Sequence, residues 1–321
     1  MEIVNGFEDS SVQKAVRLLN DGDIVAFPTE TVYGLGADAL NSYAVAKIFE
    51  AKSRPRLDPL IVHIGQADWV FRYAEHVPSR AMKLIDAFWP GPLTLILQKQ
   101  AIIPDIVTAG LPTVGIRMPS HAVALKLINA LQKPIAAPSA NPFGYVSPTK
   151  VSHVARMLKG KIPMILDGGD SVFGIESTIV SFRERGIYIH RHGAISEEDL
   201  SKCVEIVHEA NTASGCRSPG ELPYHYAPMK PLKIVHSVDE VKTTNSSFLA
   251  FRKLEKLPIS RYVKVLSATG DLKEAAANFF SSLIELDRED VDIIYAERVP
   301  EIGIGKAIME RLKKASKRGV K

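Results

Sequence analysis

The stretch DGDIVAFPTETVYGLGADALNSYAVAKIFEAKSRPRLDPLIVHI, residues 21–64, decides the fold. Two apolar runs of strand length, 24–27 and 60–64, flank a segment whose apolar residues recur at helical spacing. Asn41 or Ser42 caps this helix, and its apolar face consists of Val45, Ile48 and Phe49. A strand, a helix and a second strand in succession are typical of an α/β sheet protein.

The same alternation continues along the chain. A helical pattern covers 11–20, and further strand-like runs occupy 93–97, 114–118, 134–137, 165–167, 178–182 and 187–190. Nearer the C-terminus, strand-like runs at 233–235, 247–251, 263–266 and 293–296 alternate with helical patterns at 272–286 and 306–317. The sequence therefore predicts a large mixed sheet followed by a second, smaller α/β unit.

A segment rich in Ser, Gly and Pro, from 211 to 231, separates the two units and shows no periodicity. The chain has 321 residues, which is more than the roughly 100 to 200 residues of a usual single domain. We therefore predict a first α/β domain over 1–208, a linker or ordered lid over 209–230 and a C-terminal α/β domain over 231–321.

The composition narrows the class of protein. Hydrophobic residues make up 46% and charged residues 24%, which is typical of a globular chain, and the net charge of +4 is too small to indicate nucleic-acid binding by itself. The two cysteines, Cys203 and Cys216, form no cluster typical of zinc or of a disulfide scaffold. Because the chain shows neither a signal-like start nor an apolar run of about 18 residues, we expect a soluble, cytoplasmic protein.

A basic loop, KSRPRLDPL at 52–60, joins the helix to the second strand. Lys52, Arg54 and Arg56 lie close together in it, and such a group suits a polyphosphate because arginine binds phosphate oxygens bidentately. A solvated basic turn is the alternative. The chain has no GxxxxGK[ST] loop, and Gly34 and Gly36 lack the third glycine of a dinucleotide site, so a nucleotide needs another arrangement.

Two polar residues lie inside strand-like runs, His63 in LIVHI and Arg117 in VGIRM. A buried arginine needs an anion, so Arg117 indicates either a carboxylate ligand or an internal Asp or Glu partner. His63 fits either a ligand contact or a core histidine.

Small polar groups follow other strands, at 137–149, 174–178 and 190–193, where they fit ligand contacts or plain turns. HYAP at 225–228 fits a lid or surface packing. The basic tail containing Arg311 fits a solvated helix face better than an RNA contact.

Six motifs stand in a characteristic order: PTETVYGLG at 28–36, the K-x-R of Lys52 and Arg54, WPGPLT at 89–94, the S-x-N of Ser139 and Asn141, GIEST at 174–178 and SPG…HYAP at 218–228. Together they resemble L-threonylcarbamoyladenylate synthase. The match covers the YrdC-like catalytic domain and extends into the C-terminal domain of the two-domain form, where VDIIYAE and GIGKAIMERL echo family segments. The resemblance implies a twisted YrdC-like mixed sheet with helices, plus a smaller Rossmann-like α/β domain.

The resemblance also implies two binding sites. The implied threonine pocket of this chain consists of Thr31, His63, Arg117, Ala137 and Ser177. Its ATP site consists of Lys52, Arg54, Asp58, Thr113, Ser139, Asn141, Ser147, Arg191 and Tyr226, with Lys52 and Arg54 as the catalytic pair.

The implied reaction converts L-threonine, bicarbonate and ATP to L-threonylcarbamoyl-AMP, pyrophosphate and water, for N6-threonylcarbamoyladenosine in tRNA. ATP brings Mg2+, for which the sequence shows no dedicated carboxylate cage. A downstream threonylcarbamoyl transferase complex is the expected partner, direct tRNA contact stays open, and no membrane partner is expected.

The chain departs from the family pattern at four residues. Asp58 replaces the asparagine of KxRPxxNPL, and Glu221 and Leu222 change the lid sequence. His192, which precedes Gly193, stands where a proline is usual after the arginine. Two alternative interpretations assign the chain to other classes of protein. One is a double-stranded RNA or ribosome-maturation binding protein, and the other is a carbamoyl transferase subdomain acting on another acceptor. The residues that match the threonine pocket and the C-terminal domain favour the synthase.

Overall fold

The computed structural model describes residues 1–208 and 225–317. Its first sheet consists of β1 (Glu2–Asn5), β2 (Val25–Phe27), β3 (Gly34–Asp38), β4 (Ile61–His63), β5 (Leu93–Gln98), β6 (Thr113–Arg117), β7 (Ile135–Ala136), β8 (Met164–Asp167), β9 (Thr178–Phe182) and β10 (Ile187–Arg191). The spatial order is β1-β8-β2-β3-β7-β4-β6-β5-β9-β10, with parallel and antiparallel pairs. The predicted mixed sheet is confirmed.

Helices accompany this sheet as α1 (Asp9–Asn20), α2 (Ser42–Lys52), α3 (Val70–Tyr73), α4 (Ser79–Phe88), α5 (Asp105–Thr108), α6 (Ala122–Leu131), α7 (Val151–Met157) and α8 (Glu197–Ser201). The N-cap of α2 is Asn41, whose side chain accepts hydrogen bonds from the amides of Tyr43 and Ala44. The predicted apolar face of α2 is buried, and the helix ends at Lys52, which is followed by Ser53 at φ 52°. The end of α2 therefore fixes where the basic loop begins.

The centre of the sheet places two predicted site residues side by side. Parallel strands β4 and β6 are neighbours, and their register pairs His63 with Arg117. Side chains alternate along a strand, so Ile61 and His63 project from the same face of the sheet. On the other side of β4, Ala137 donates its amide to the carbonyl of Ile61. The candidate site is built over this face.

The second sheet is entirely parallel within residues 225–317. It consists of β11 (Leu232–Val235), β12 (Ser246–Ala250), β13 (Tyr262–Val265) and β14 (Ile293–Glu297), in the order β11-β14-β12-β13, with α9 (Leu272–Leu286) and α10 (Gly305–Ser316). These elements match the predictions within one residue or so at each end. No helix of the described ranges is long and apolar enough to cross a membrane.

The two parts share an apolar cluster. Val146 and Ile175 from the first part and Tyr226 from HYAP pack in it with Phe279 and Phe280 of α9. All five side chains are almost completely buried, so the C-terminal domain is fixed against the first one at a surface that includes HYAP.

Two strands were missed from the sequence, β1 and β3. Gly34 and Gly36 of PTETVYGLG lie in β3, where they interrupt the side-chain pattern of a strand. An added Cβ at Gly36 would come within 2.7 Å of side-chain atoms of both Phe27 and Ile135. Close packing against the neighbouring strands therefore requires this glycine.

Candidate active site

A cleft enclosing about 550 Å³, counted with its open mouth, lies over the face that carries His63. All five residues of the predicted threonine pocket line it, together with four of the predicted ATP residues: Arg54, Ser139, Arg191 and Tyr226. Its other lining residues are Thr29, Val32, Gly34, Ile61, Pro138, Glu176 and His225.

Arg117 is buried at the end of β6 and forms an ion pair with an internal carboxylate. Its Nη2 donates to Glu30 Oε1 over 2.6 Å, and its Nε donates to the carbonyl oxygen of Gly91 over 3.3 Å. Glu30 Oε2 is buried and has no hydrogen-bond partner among the described residues. The internal acidic partner, one of the two alternatives that the sequence allowed for Arg117, is therefore Glu30. A guanidinium has five donors, and the bonds to Glu30 and Gly91 do not use all of them. Because Arg117 also lines the cleft, it can bind a second carboxylate there.

His63 is held as a neutral imidazole. Burial, followed by the nearby Arg117 charge, lowers the pKa of His63 to about 3. Its Nδ1 has no hydrogen-bond partner among the described residues, and its ring meets Phe27 edge-on at 6.2 Å between centroids. At neutral pH His63 can donate or accept a hydrogen bond, but it carries no positive charge.

Because His63 is buried as a neutral imidazole, we expect the stability of the folded protein to depend on pH. Between pH 6.5 and about 3 the unfolded chain binds a proton at His63 that the folded chain does not, so the free energy of unfolding falls as the pH falls through this window. The slope is up to about 1.4 kcal/mol per pH unit. Denaturant titrations from pH 7 to 5 should give a shallower loss for His63→Gln, whereas His76→Gln, at an exposed site, should follow the parent. Equal slopes for all three proteins would contradict the assignment.

Lys52 is fully enclosed at the end of α2. Its ammonium donates to the carbonyl oxygens of Ser139 and Asn141, which ties the basic loop to the S-x-N segment. Burial, with the charge of Arg54 adding to it, holds the pKa of Lys52 well below its usual range. An ammonium has three donors, so two protein carbonyls leave one for a ligand oxygen.

Arg54 and Asp58 form a buried ion pair within the basic loop. Arg54 Nη2 lies 2.8 Å from Asp58 Oδ2 and 3.0 Å from the carbonyl oxygen of Pro59. The guanidinium carbon lies 5.9 Å from the centre of the Phe143 ring. Asp58, the departure from the family's asparagine, thus turns to a cation and orients Arg54 towards the cleft.

The remaining polar wall comes from Ser147, from the GIEST segment and from two residues of other strands, Thr94 and Arg191. Ser147 donates to Glu176 Oε1 over 2.6 Å. Ser177 Oγ contacts Thr94 Oγ1 at 2.8 Å and accepts from Arg191 Nη2 at 3.0 Å. Ser177, predicted for threonine, and Arg191, predicted for ATP, are therefore joined by a hydrogen bond.

Thr113 is not brought to the cleft. It is the first residue of β6, whereas Arg117 is the last, and it lies in a separate depression with Ser181, Arg183 and His190. The structure therefore separates Thr113 from the other predicted ATP residues.

HYAP closes one side of the cleft. His225 is buried, and its ring packs edge-on against Phe143 at 5.9 Å and against Tyr226 at 4.1 Å. Tyr226 has a φ of 64°, a strained value for a non-glycine residue, and its buried hydroxyl has no hydrogen-bond partner among the described residues. The predicted lid residues Glu221 and Leu222, and the rest of 209–224, lie outside the described residues.

Comparison with known proteins finds relatives over both domains of the chain. A family model described as Telomere recombination matches residues 17–193, and one described as Threonylcarbamoyl-AMP synthase, C-terminal domain, matches residues 195–317. The threonylcarbamoyl-AMP synthase of Pyrococcus abyssi is 42% identical over 96% of this chain and 95% of its own, and that of Bacillus subtilis is 42% identical over 96% and 93%. The chain belongs to the threonylcarbamoyl-AMP synthase family.

A solved structure of this family supports the same alignment in three dimensions. The crystal structure of P. abyssi Sua5 complexed with L-threonine has a TM-score of 0.89 with this chain and is 38% identical to it. The superposition covers 99% of this chain and 98% of the other. Both domains of the synthase family are therefore present here in the same arrangement.

Sequence reasoning missed two carboxylates of this synthase fold, Glu30 and Glu176. Both stand inside motifs that were singled out, PTETVYGLG and GIEST, and both are buried opposite an arginine, Arg117 and Arg311. The available signal was an acidic residue inside a motif expected to bind a substrate, because a buried charge requires a partner of opposite sign.

Gly193, which follows the departure at His192, lies against the backbone of Glu176. A Cβ at this position would come within 2.4 Å of the carbonyl oxygen of Glu176 and of the backbone of Ser177. The close approach of the two backbones therefore requires glycine here.

Proposed function

We propose that this chain makes L-threonylcarbamoyl-AMP from L-threonine, bicarbonate and ATP, releasing pyrophosphate and water. The observation that carries the proposal is the single cleft in which Arg117, His63 and Ser177 lie together with the cations Arg54 and Arg191. A carboxylate and a polyphosphate can both be bound there, and both substrates of an adenylyl transfer must meet in one site.

The threonine end of the cleft is built for an amino acid. Arg117 binds the carboxylate while Glu30 holds its guanidinium in place. The neutral His63 and the hydroxyls of Thr31 and Ser177 provide uncharged hydrogen-bonding groups around the remaining polar atoms. Ala137 leaves room at the wall for a small side chain. This combination favours threonine over a charged or aromatic amino acid.

The ATP end consists of Lys52, Arg54, Ser139, Asn141, Ser147, Arg191 and Tyr226. Lys52 and Arg54 place two positive charges at the start of the basic loop, where they neutralise phosphate oxygens. Asn141 Nδ2 donates hydrogen bonds to the carbonyl oxygens of Pro142 and Tyr145, and these bonds shape the loop that carries Ser147.

The reaction takes place in two steps. The threonine amine and bicarbonate condense to a carbamate with loss of water, and a carbamate oxygen then attacks the α-phosphorus of ATP as the bond to pyrophosphate breaks. No protein nucleophile is required, because alignment and charge neutralisation supply the catalysis. Lys52 and Arg54 stabilise the negative charge that develops on the leaving pyrophosphate.

Magnesium would bind to the enzyme together with ATP, as the Mg-ATP substrate. In residues 1–208 and 225–317 no group of three His, Cys, Asp or Glu side chains could hold a metal ion. The carboxylates of the site, Glu30, Asp58 and Glu176, are each paired with an arginine. Phosphate oxygens and water would therefore be the main ligands of Mg2+.

The buried hydroxyl of Tyr226 is a sensitive probe of the ATP end. Because it has no hydrogen-bond partner among the described residues, Tyr226→Phe should leave the melting temperature unchanged or slightly raised. If ATP supplies the missing partner, the same change should raise the KM for ATP about fivefold, the equivalent of one hydrogen bond of roughly 1 kcal/mol. Tyr43→Phe, at an exposed tyrosine, is the matched control. An unchanged KM for ATP in Tyr226→Phe would remove this residue from the ATP site.

The RNA-binding alternative finds little support in α10. Three of its basic side chains are engaged with acidic partners: Arg311 with Glu176, Lys313 with Glu301 and Lys314 with Glu310. The prediction of a solvated basic face is wrong for Arg311, which is completely buried. We propose that the product passes to a threonylcarbamoyl transferase in the same soluble compartment, without a tRNA site on the described part of this helix.

The direct test of the activity is product identification. The protein is incubated with Mg-ATP, L-threonine and 13C-labelled bicarbonate, and the nucleotides are separated and weighed by mass spectrometry. We expect an AMP adduct that contains one threonine and one labelled carbon. Formation of a threonyl adenylate without the labelled carbon would overturn the proposed reaction.

A further inference from the structure

Helix α10 carries one buried cation, Arg311, to the back of the cleft. The side chain is fully buried, and its Nε donates to Glu176 Oε2 over 3.1 Å while its Nη1 donates to the carbonyl oxygen of His192. Its guanidinium carbon lies 5.2 Å from the centre of the Tyr226 ring. The C-terminal domain thus touches two residues that line the cleft, Glu176 and Tyr226, through a side chain that does not line it itself.

Glu176 presents an electrostatic problem for the proposed site. Glu176 is buried and lines the same cleft as the cations Arg54 and Arg191 that would bind phosphates. A negative charge in a poorly solvated wall repels a polyphosphate strongly, because the local dielectric screens it little. The hydrogen bond from Ser147 stabilises the carboxylate but does not remove its charge.

We propose that Arg311 is a positioning residue which neutralises Glu176 and thereby lets the cleft accept the phosphates of ATP. The inference rests on the proposed function, since it concerns the same cleft. It gives the C-terminal domain a defined part in ATP binding: it supplies the countercharge to the first domain's wall and packs against the ring of Tyr226. No basic side chain of α10 has to touch the nucleotide for this.

The proposal predicts that a second substitution rescues the first. Arg311→Met removes the countercharge and leaves Glu176 as an anion in the wall, so the Kd and KM for ATP should rise about tenfold or more. The kcat and the KM for threonine should stay within about twofold, because Arg117 keeps its own partner, Glu30. Adding Glu176→Gln to Arg311→Met removes the anion, while the glutamine oxygen can still accept from Ser147. The double variant should recover ATP binding to within about threefold of the parent.

Two further variants separate charge from packing. Arg311→Lys keeps the charge but loses the forked geometry, so it should lie between the parent and Arg311→Met. Lys306→Met is the matched control on the same helix: Lys306 pairs with Glu197 over 2.7 Å across the same domain boundary, away from the cleft. It should leave both KM values unchanged. If Arg311→Met alone does not fold, the double variant should still fold, because it buries no unpaired charge.

ATP affinity is measured by calorimetry without threonine, and KM values by pyrophosphate release. An unchanged ATP affinity in Arg311→Met, a double variant no better than the single one, or an equal rise in the KM for threonine would each overturn the proposal. If the parent protein releases no pyrophosphate with threonine, the proposed function fails, and the calorimetric series still decides the role of Arg311.

Discussion

Replacing Arg117 by alanine should abolish the use of threonine, with a fall in kcat/KM for threonine of about 100-fold or more. The substitution removes the charged donor for the substrate carboxylate in a buried site, where such a contact is worth about 3 kcal/mol. It also strands Glu30 as a buried, unpaired carboxylate, so the protein should lose about 3 to 5 kcal/mol of stability. Steady-state kinetics and denaturant unfolding measure the two effects.

A double variant separates binding from folding at this site. Arg117→Met combined with Glu30→Gln replaces the ion pair by uncharged groups of similar size, so stability should return close to that of the parent. Threonine use should stay low, because no cation remains for the carboxylate. Recovery of activity together with stability would mean that Arg117 has a structural role only.

Replacing Lys52 by methionine should lower kcat/KM for ATP by about 100-fold, while the KM for threonine changes little. Lys52 combines a buried charge with hydrogen bonds to the carbonyl groups of Ser139 and Asn141, so its loss removes a phosphate contact and loosens the adjoining wall. Charged hydrogen bonds of this kind contribute about 1.5 to 3 kcal/mol each. The measurement is pyrophosphate release at varied ATP concentration.

The control for Lys52 lies on the same helix. Lys47 is an exposed residue of α2 that pairs with Asp23 over 3.3 Å at the surface, and Lys47→Met should leave the ATP kinetics unchanged. A Lys52→Met protein that folds and retains the ATP kinetics of the parent would exclude Lys52 from phosphate binding.

The strands that position the site could be predicted from the pattern of apolar residues in the sequence. The runs that contain His63 and Arg117 are otherwise apolar or glycine, so both the strands and the polar residues within them are visible in the sequence. Strand β3 was not, because two glycines remove the side chains on which strand periodicity depends, and the reason for them is packing against Phe27 and Ile135.

The charge partners were harder to predict than the strands. Arg117 was expected to have a ligand or an internal partner, and only the fold shows that Glu30, 87 positions away, is that partner. Arg311 looked like part of a solvated tail because neighbouring lysines surround it in the sequence, yet α10 turns it towards Glu176 in the other domain. Contacts between distant segments leave no local pattern.

The central claim is that one cleft joins threonine to the α-phosphate of ATP through a carbamate. The most direct measurement is pyrophosphate release from Mg-ATP and bicarbonate with L-threonine, L-serine, glycine or no amino acid, for the parent protein and Arg117→Ala. The account predicts release that depends on threonine, is weaker with serine and glycine, and is lost in the variant. Release that is the same with and without an amino acid, or is unchanged in Arg117→Ala, would contradict it.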